Sequence, residues 1–377
     1  MLTKERPSSL LASHESRQHA APIHCARGMV LVAILMTVDA LPAASSGASG
    51  NQAGGLARNG GLIVFGRAKT TPDGELTNHL YAISSRGGSP RLLVPGEGFA
   101  DGSAAWSPNG SKLAFDRTRH LVDDKVVVAN ADGSNVHEIA DGANPVWSPG
   151  GREIAFGSPV SVDSSRVFVI HPDGSGKRQL GSGQIEAAFP AWSPNGRQLA
   201  FTGGPANRTR EFVYVVSENG RGEHQLTHVG ADAFAWSPDG KLIAFSNGDS
   251  RHTKLNVVSS DGRKTRRLLT FSPASVGIIT SVAWSPNGKT ISFQGFAGAE
   301  GDGPESTYIV RPSGRGLTRV RLSEDGQGWS PDGRALIFRT TYRKSDAFEI
   351  VNSRGRLLRW IDISRANDYD PAWQPRP

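Results

Sequence analysis

Cysteine is all but missing. The one Cys25 lies ahead of everything that repeats, so no disulfide staples the repeated body, and neither redox compartment is excluded. Long apolar runs are missing too. The nearest approach, Met29–Met36, falls far short of the ~20 residues that span a bilayer. Histidines do not cluster: His224 and His228 are four apart, but in a stretch that reads as strand and loop, where helical ligand spacing does not apply. There is no G-x-S-x-G elbow and no glycine loop placed to cradle phosphate. Asp123-Asp124 and Asp302 lack the ligand spacing of a calcium loop. No specific nucleic-acid motif occurs. The formal charge is +7, of which residues 1–43 contribute four basic and three acidic groups. No dense Lys/Arg block marks a tail. A basic body suits anionic partners; the plainer reading is a compositional habit.

What is present is a phrase written seven times. It reads W-S-P-N-G-S-K-L-A-F from Trp106 to Phe115, and returns from Trp147, Trp192, Trp236, Trp284 and Trp329. It ends as a truncated W-Q-P at Trp373–Pro375. Successive tryptophans are 41, 45, 44, 48, 45 and 44 residues apart. A fixed period of this size marks a repeat architecture and overrides the two or three domains that 377 residues would suggest. Glycine, at roughly 12% against a usual level of about 7%, sits largely at turn positions inside the repeat.

Within one period the residues spell four strands. Pro190–Trp192 is a short strand A, and Ser193-Pro-Asn-Gly196 a turn in which Pro presets one φ and Gly takes the left-handed position. Gln198–Thr202 is strand B, Glu211–Ser217 strand C, and Gln225–Thr227 strand D. Both faces of such a blade are apolar, so neighbours must stack around an axis. The expected fold is an all-β, seven-bladed β-propeller of four-stranded antiparallel blades; six blades is the alternative. Leu56–Phe65 aligns with Trp106–Phe115 but lacks the Trp, whereas Trp373 has no strand B after it. The C-terminal strand is therefore expected to complete the blade that the N-terminal part begins. The expected domains are a leader (1–43), a Ser/Gly linker (44–55) and the propeller (56–377). Arg17 and Arg27, the run Met29–Met36, and the small residues Ala40, Ala43 and Ala44 carry the basic, apolar and small parts of a secretory signal. An uncleaved anchor is the other reading. Export to the periplasm, envelope or exterior is expected, with no transmembrane span in the mature chain.

The phrase W-S-P-[DNG]-G-x-x-[IL]-A-F, followed by a strand, a D-G turn and an R-x-L-T-like strand, resembles the TolB-type propeller repeat over about residues 56–377. The resemblance implies an extracytoplasmic propeller, and the family's namesake binds a lipoprotein of the cell envelope. Seven repeats where the namesake has six, and no α/β domain ahead of them, set this chain apart from it. The repeat also resembles the propeller of prolyl-oligopeptidase-type peptidases, but their G-x-S-x-G is missing.

In an A–B–C–D blade the tight A–B and C–D turns share one face. The longer B–C and D–A connections share the other, where function tends to sit. Before the tryptophans stand acids: Asp101, Asp141, Glu186, Asp232, Glu324 with Asp325, and Asp368 with Asp370. Outside them stand bases: Lys69, Arg117, Arg119, Arg208, Arg210, Arg251, Arg339, Arg343 and Lys344. One reading is an acidic channel mouth, represented by Asp101, Asp141, Glu186, Asp232, Asp325 and Asp368, inside a basic collar, which suits a cation or a basic peptide. The other is that these acids cap turns and satisfy loop amides. No cofactor is expected beyond such a cation. The function expected is non-catalytic binding of a protein or cell-wall component by a monomer. The alternative is a carbohydrate-active lyase or hydrolase at the channel mouth. The repeat tryptophans read as packing residues and not as a stacking platform.

Overall fold

The computed structural model describes residues 61–375 apart from the short segments 71–75, 97–98, 120–122, 162–163, 206–209, 250, 299–302, 323–326, 343–344 and 364–366. The leader and linker lie outside the described residues. Seven four-stranded antiparallel blades follow one another around a ring. Their innermost A strands are Asn367–Trp373, Phe99–Trp106, Ala143–Trp147, Glu186–Trp192, Phe234–Trp236, Ile278–Trp284 and Gln327–Trp329, for blades 1 to 7. The A strands of consecutive blades touch all the way round, so they line the central channel. Blades 1 and 2 share one sheet through a single parallel bridge, Asn78 to Ala100.

The Leu-Ala-Phe core of strand B explains the stacking. In blade 2, Leu113 and Phe115 face the seam with blade 1, and Ala114 faces the seam with blade 3. There Ala114 leaves room for Trp147 and Phe156 of the next blade. The same exchange recurs at Ala155 under Trp192, Ala200 under Trp236 and Ala244 under Trp284. Seven apolar clusters result, one per seam, each holding a Trp and a fully buried Phe. Burying each such side chain is worth about 1.5–3 kcal/mol. The small residue directly before one blade's Trp lets the next blade's indole reach across the seam to its carbonyl. Trp147 Nε1 donates to the Ala105 carbonyl at 3.1 Å, Trp236 Nε1 to Ala191 at 3.1 Å, and Trp106 Nε1 to Ala372 at 3.2 Å. In blade 6 Ser292 replaces the alanine of strand B and takes the Trp329 indole N–H on its Oγ, at 2.9 Å.

The serine of the W-S-P phrase closes the A–B turn. In blade 4 the Ser193 N–H donates to the Gln198 carbonyl at 2.8 Å, and Ser193 Oγ accepts the Gln198 N–H at 2.9 Å. Ser107, Ser148, Ser237, Ser285 and Ser330 make the matching Oγ bond to the residue five places on. Gly196 takes φ 71° in this turn, a conformation that costs a side-chain-bearing residue about 1 kcal/mol.

The closing strand imitates this turn across the chain ends. Strand A of blade 1, Asn367–Trp373, pairs with strand B, Leu62–Thr70. Gln374 stands where the serine would be. Its N–H donates to the Leu62 carbonyl at 2.8 Å, and its longer side chain accepts the Leu62 N–H at 3.3 Å. Gln374 Nε2 also donates to the Gly110 carbonyl of the next blade's turn, at 2.8 Å. Trp373, Ile63 and Phe65 pack on Ile337, Phe348 and Ile350 of blade 7, which completes the ring.

Candidate functional site

Of the acids expected at the channel mouth, two are consumed inside the scaffold. Asp101 is buried on strand A of blade 2. It takes a bidentate pair from Arg117, Nε to Oδ1 at 2.6 Å and Nη2 to Oδ2 at 3.0 Å. Asp368 on strand A of blade 1 is buried and paired with Arg67, Nε to Oδ1 and Nη2 to Oδ2 both at 2.7 Å. Arg67 also donates to the Ile363 carbonyl at 3.0 Å and lies over the Tyr81 ring at 4.6 Å. Arg117 lies over Phe99 at 4.6 Å. Burial pushes the Asp101 carboxyl above its usual range, while Arg117 and, more weakly, His79 oppose the rise. These two pairs bolt strand A to strand B in the blade that closes the ring and in the blade after it.

The remaining acids occupy unlike places. Asp141 ends strand D of blade 2, His137–Asp141, and is exposed and paired with Lys125, which holds its carboxyl below the usual range. Glu186 opens strand A of blade 4, half-buried. Asp232 lies in the D–A connection entering blade 5, exposed to water. Protein on its flanks still desolvates it and raises its carboxyl, which Arg210 opposes and Glu211 reinforces. Among the described residues Asp232 has no ion-pair partner within 4 Å and accepts no side-chain hydrogen bond. Asp325 lies outside the described residues.

The expected collar divides in the same way. Arg117 and Arg339 are buried, and Arg119 is exposed over the Phe99 ring at 4.7 Å. Arg210 and Arg251 are exposed. Arg208, Arg343 and Lys344 lie outside the described residues, and so do the calls on Glu324 and Asp302. Arg210 and Glu211 sit beside Gly230 and Ala231, whose N–H donates to the Glu211 carbonyl at 2.9 Å. With exposed His228 and Val229 on the same connection, they form a patch at the mouth around Asp232.

The channel wall carries residues that the loop reading passed over. Three places before the Trp, strand A bulges in blades 1 to 4 and puts Asp370, Ser103, Asn144 and Phe189 at φ 45–55°. Non-glycine residues rarely adopt this conformation, and bulges re-aim side chains. Asp370, Ser103 and Phe189 are exposed, Phe189 by 46%. Because neighbouring blades cover both faces of strand A, exposure there opens toward the axis. Ser103 Oγ meets Asn144 Oδ1 across the seam at 3.3 Å. Half-buried Asp116 accepts the Asn144 N–H at 3.1 Å, and burial raises its carboxyl. Among the described residues no group of three or more His, Cys, Asp and Glu is placed to hold a metal ion. The two cavities that stand out, of about 620 and 290 Å³, lie on the turn face between blades 2 and 3 and between blades 7 and 1. Both are open grooves between W-S-P turns, lined by residues such as Pro108 and Pro149 or Pro331 and Leu358.

The TolB beta propeller domain model matches residues 80–287 and 123–376. The chain belongs to the TolB beta propeller family. Among curated proteins none matches it. Solved structures that share the fold include three of different description. TolB from Acinetobacter baumannii is 15% identical, with a TM-score of 0.51 over 84% of this chain and 83% of that one. The periplasmic gluconolactonase PpgL of Pseudomonas aeruginosa is 14% identical, with a TM-score of 0.56 over 84% and 100%. An oligogalacturonate lyase in complex with manganese is 15% identical, with a TM-score of 0.50 over 65% and 76%. At such identities the likeness is one of fold. The neighbours of this TolB-type propeller include enzymes and a protein named only as TolB, so the fold leaves the function open.

Proposed function

We propose that this TolB-type propeller is exported and binds a protein or cell-envelope partner, without catalysis, through the face that carries its B–C and D–A connections. The observation that carries this reading is the patch around Asp232. Asp101 and Asp368 are neutralised inside blades 2 and 1, whereas Asp232 and Arg210 face water with no ion-pair partner within 4 Å among the described residues. Charged groups at the rim of a contact steer and select partners. The basic, apolar and small segments of the leader support export.

The test is capture of a partner from an envelope extract by the full chain, compared with D232N and R210A. Because both side chains are exposed, each variant keeps the parent melt, and each captures the partner several-fold less. Undiminished capture by the double variant, or no partner at any salt concentration, sinks the reading.

A further inference from the structure

The positive charge is not spread evenly around the ring. The C–D turn and outer strand of each blade form its rim. Over blades 2 to 4 the rim carries Asp132, Glu138, Asp141, Asp173, Glu218 and Glu223 against Lys177, Arg178 and Arg221. Over blades 5 to 7 the balance inverts. Blade 5 presents Arg263, Lys264, Arg266 and Arg267, all exposed. Blade 6 presents exposed Arg311, Arg315 and Arg319, and blade 7 exposed Arg354, Arg356 and Arg359. Among the described residues the exposed acids of this rim are Asp261 and Asp362. Among the described residues only Arg263 has a carboxylate within 4 Å, Asp261 at 3.6 Å. Arg266 and Arg359 reach sideways to the carbonyls of Pro312 and Arg86, each at 2.7 Å, which holds the rim in place without neutralising it. The A–B turns of these blades are nearly balanced, with Lys241, Lys289 and Arg334 against Asp239 and Asp332.

Among these arginines stand three exposed leucines at the level of the C–D turns. Leu317 is 41% exposed, Leu357 43% and Leu358 57%. Leu317 lies between Arg315 and Arg319, and Leu357 and Leu358 lie between Arg356 and Arg359.

We propose that the rim of blades 5 to 7 is a docking surface for an anionic lipid bilayer. Nine of the ten exposed basic groups named above are arginines, whose planar forks match phosphate oxygens two at a time. Anionic headgroups attract such groups over about a Debye length. The leucines decide between a bilayer and a soluble polyanion. Aliphatic side chains gain by entering the boundary between headgroups and acyl chains and gain nothing on a hydrated polymer. Seated on this rim, the propeller turns its loop face away from the lipid.

The experiment is co-sedimentation of the full chain with vesicles of phosphatidylcholine alone or mixed with phosphatidylglycerol, at low and high salt. Binding is expected on the mixed vesicles only, and it falls as salt rises. R315E with R356E weakens it by more than about tenfold, since each basic group near the surface adds attraction. L317S with L358S weakens it by about tenfold at constant charge, through lost apolar burial. All four side chains are exposed, so the melts stay put, and the leader is common to every arm. Equal binding to neutral vesicles, or none to anionic ones, overturns the proposal. So does capture on immobilised heparin or duplex DNA that matches the vesicles and ignores the leucine changes, which would make the rim a polyanion site.

Discussion

On the turn face Ser107, Ser148, Ser193, Ser237, Ser285 and Ser330 each close the same turn with the same Oγ bond. On the loop face the blades treat their charges differently. Blades 1 and 2 lock an acid of strand A onto an arginine of strand B, blade 2 also ties Asp141 to Lys125, and the approach to blade 5 leaves Asp232 open. The carboxylates report the same contrast. Asp132, Asp173, Asp239 and Asp261, all on tight turns, are held below the usual range by Ser hydroxyls and backbone N–H groups. Toward the loop face the carboxylates diverge: Asp101, Asp116 and Asp232 are pushed above it by desolvation, whereas Asp141 and Asp249, each bonded to a lysine, are held below it. The turn face is a local solution repeated, and it builds the ring. The loop face is where blades differ, and difference is what a partner can read.

The largest effect tests the ring itself. Removing residues 367–377 takes away strand A of blade 1 and strips the seam that holds Trp373 against blade 7. The cooperative thermal melt should collapse; an unchanged melting temperature would refute closure by this strand. Next comes the contrast between two acids that look alike in sequence. D101N leaves the buried Arg117 guanidinium uncompensated and should cost about 3–5 kcal/mol in denaturant unfolding. D232N should stay within about 0.5 kcal/mol of the parent, as exposed changes usually do. Equal losses would erase the distinction between bolted and open mouth residues.

The smallest effect is in the acid limb. Asp249 accepts from Lys254 and from the Arg251 and His252 N–H groups, which hold its carboxyl at about 2. A carboxyl lowered on folding contributes stability above its unfolded value and loses it as pH falls through the folded one. D249N should therefore flatten the stability curve between about pH 4 and 2. Asp232 is raised, so its contribution has the opposite sign: fully present at low pH and lost as pH rises through the raised value. D232N should remove that loss. Identical pH profiles for the two variants would show that the paired carboxyl of Asp249 and the open one of Asp232 do not differ in this way.

Much of the scaffold was legible because its causes are local. A Ser-Pro-x-Gly turn needs only its own residues, and the orphan Trp373 announced a strand that had to find a partner elsewhere. The seam packing was half legible: the alanine of strand B is visible, but that it makes room for the next blade's indole is not. The mouth was legible as a set of acids and bases, but not as pairs. Arg67 and Asp368 are 301 residues apart and meet only because the ring closes. A usable signal existed: an acid five places before the Trp together with an Arg two places after the Phe occurs in blades 1 and 2, and marks the bolted pairs. The left-handed wall residues gave no such signal, since a bulge depends on register against strand B.

The amino-acid sequence by itself determined the period, the turns, the seven repeats and the need for closure, because each follows from local hydrogen bonding and apolar pattern. Only the tertiary structure decided which charges remain open to a partner. Closing the ring brings distant residues together, buries Asp101 and Asp368 against arginines, and gathers the uncompensated arginines of three separate repeats onto one rim. Burial and proximity, which set the strength of every charge, exist only once the blades are stacked.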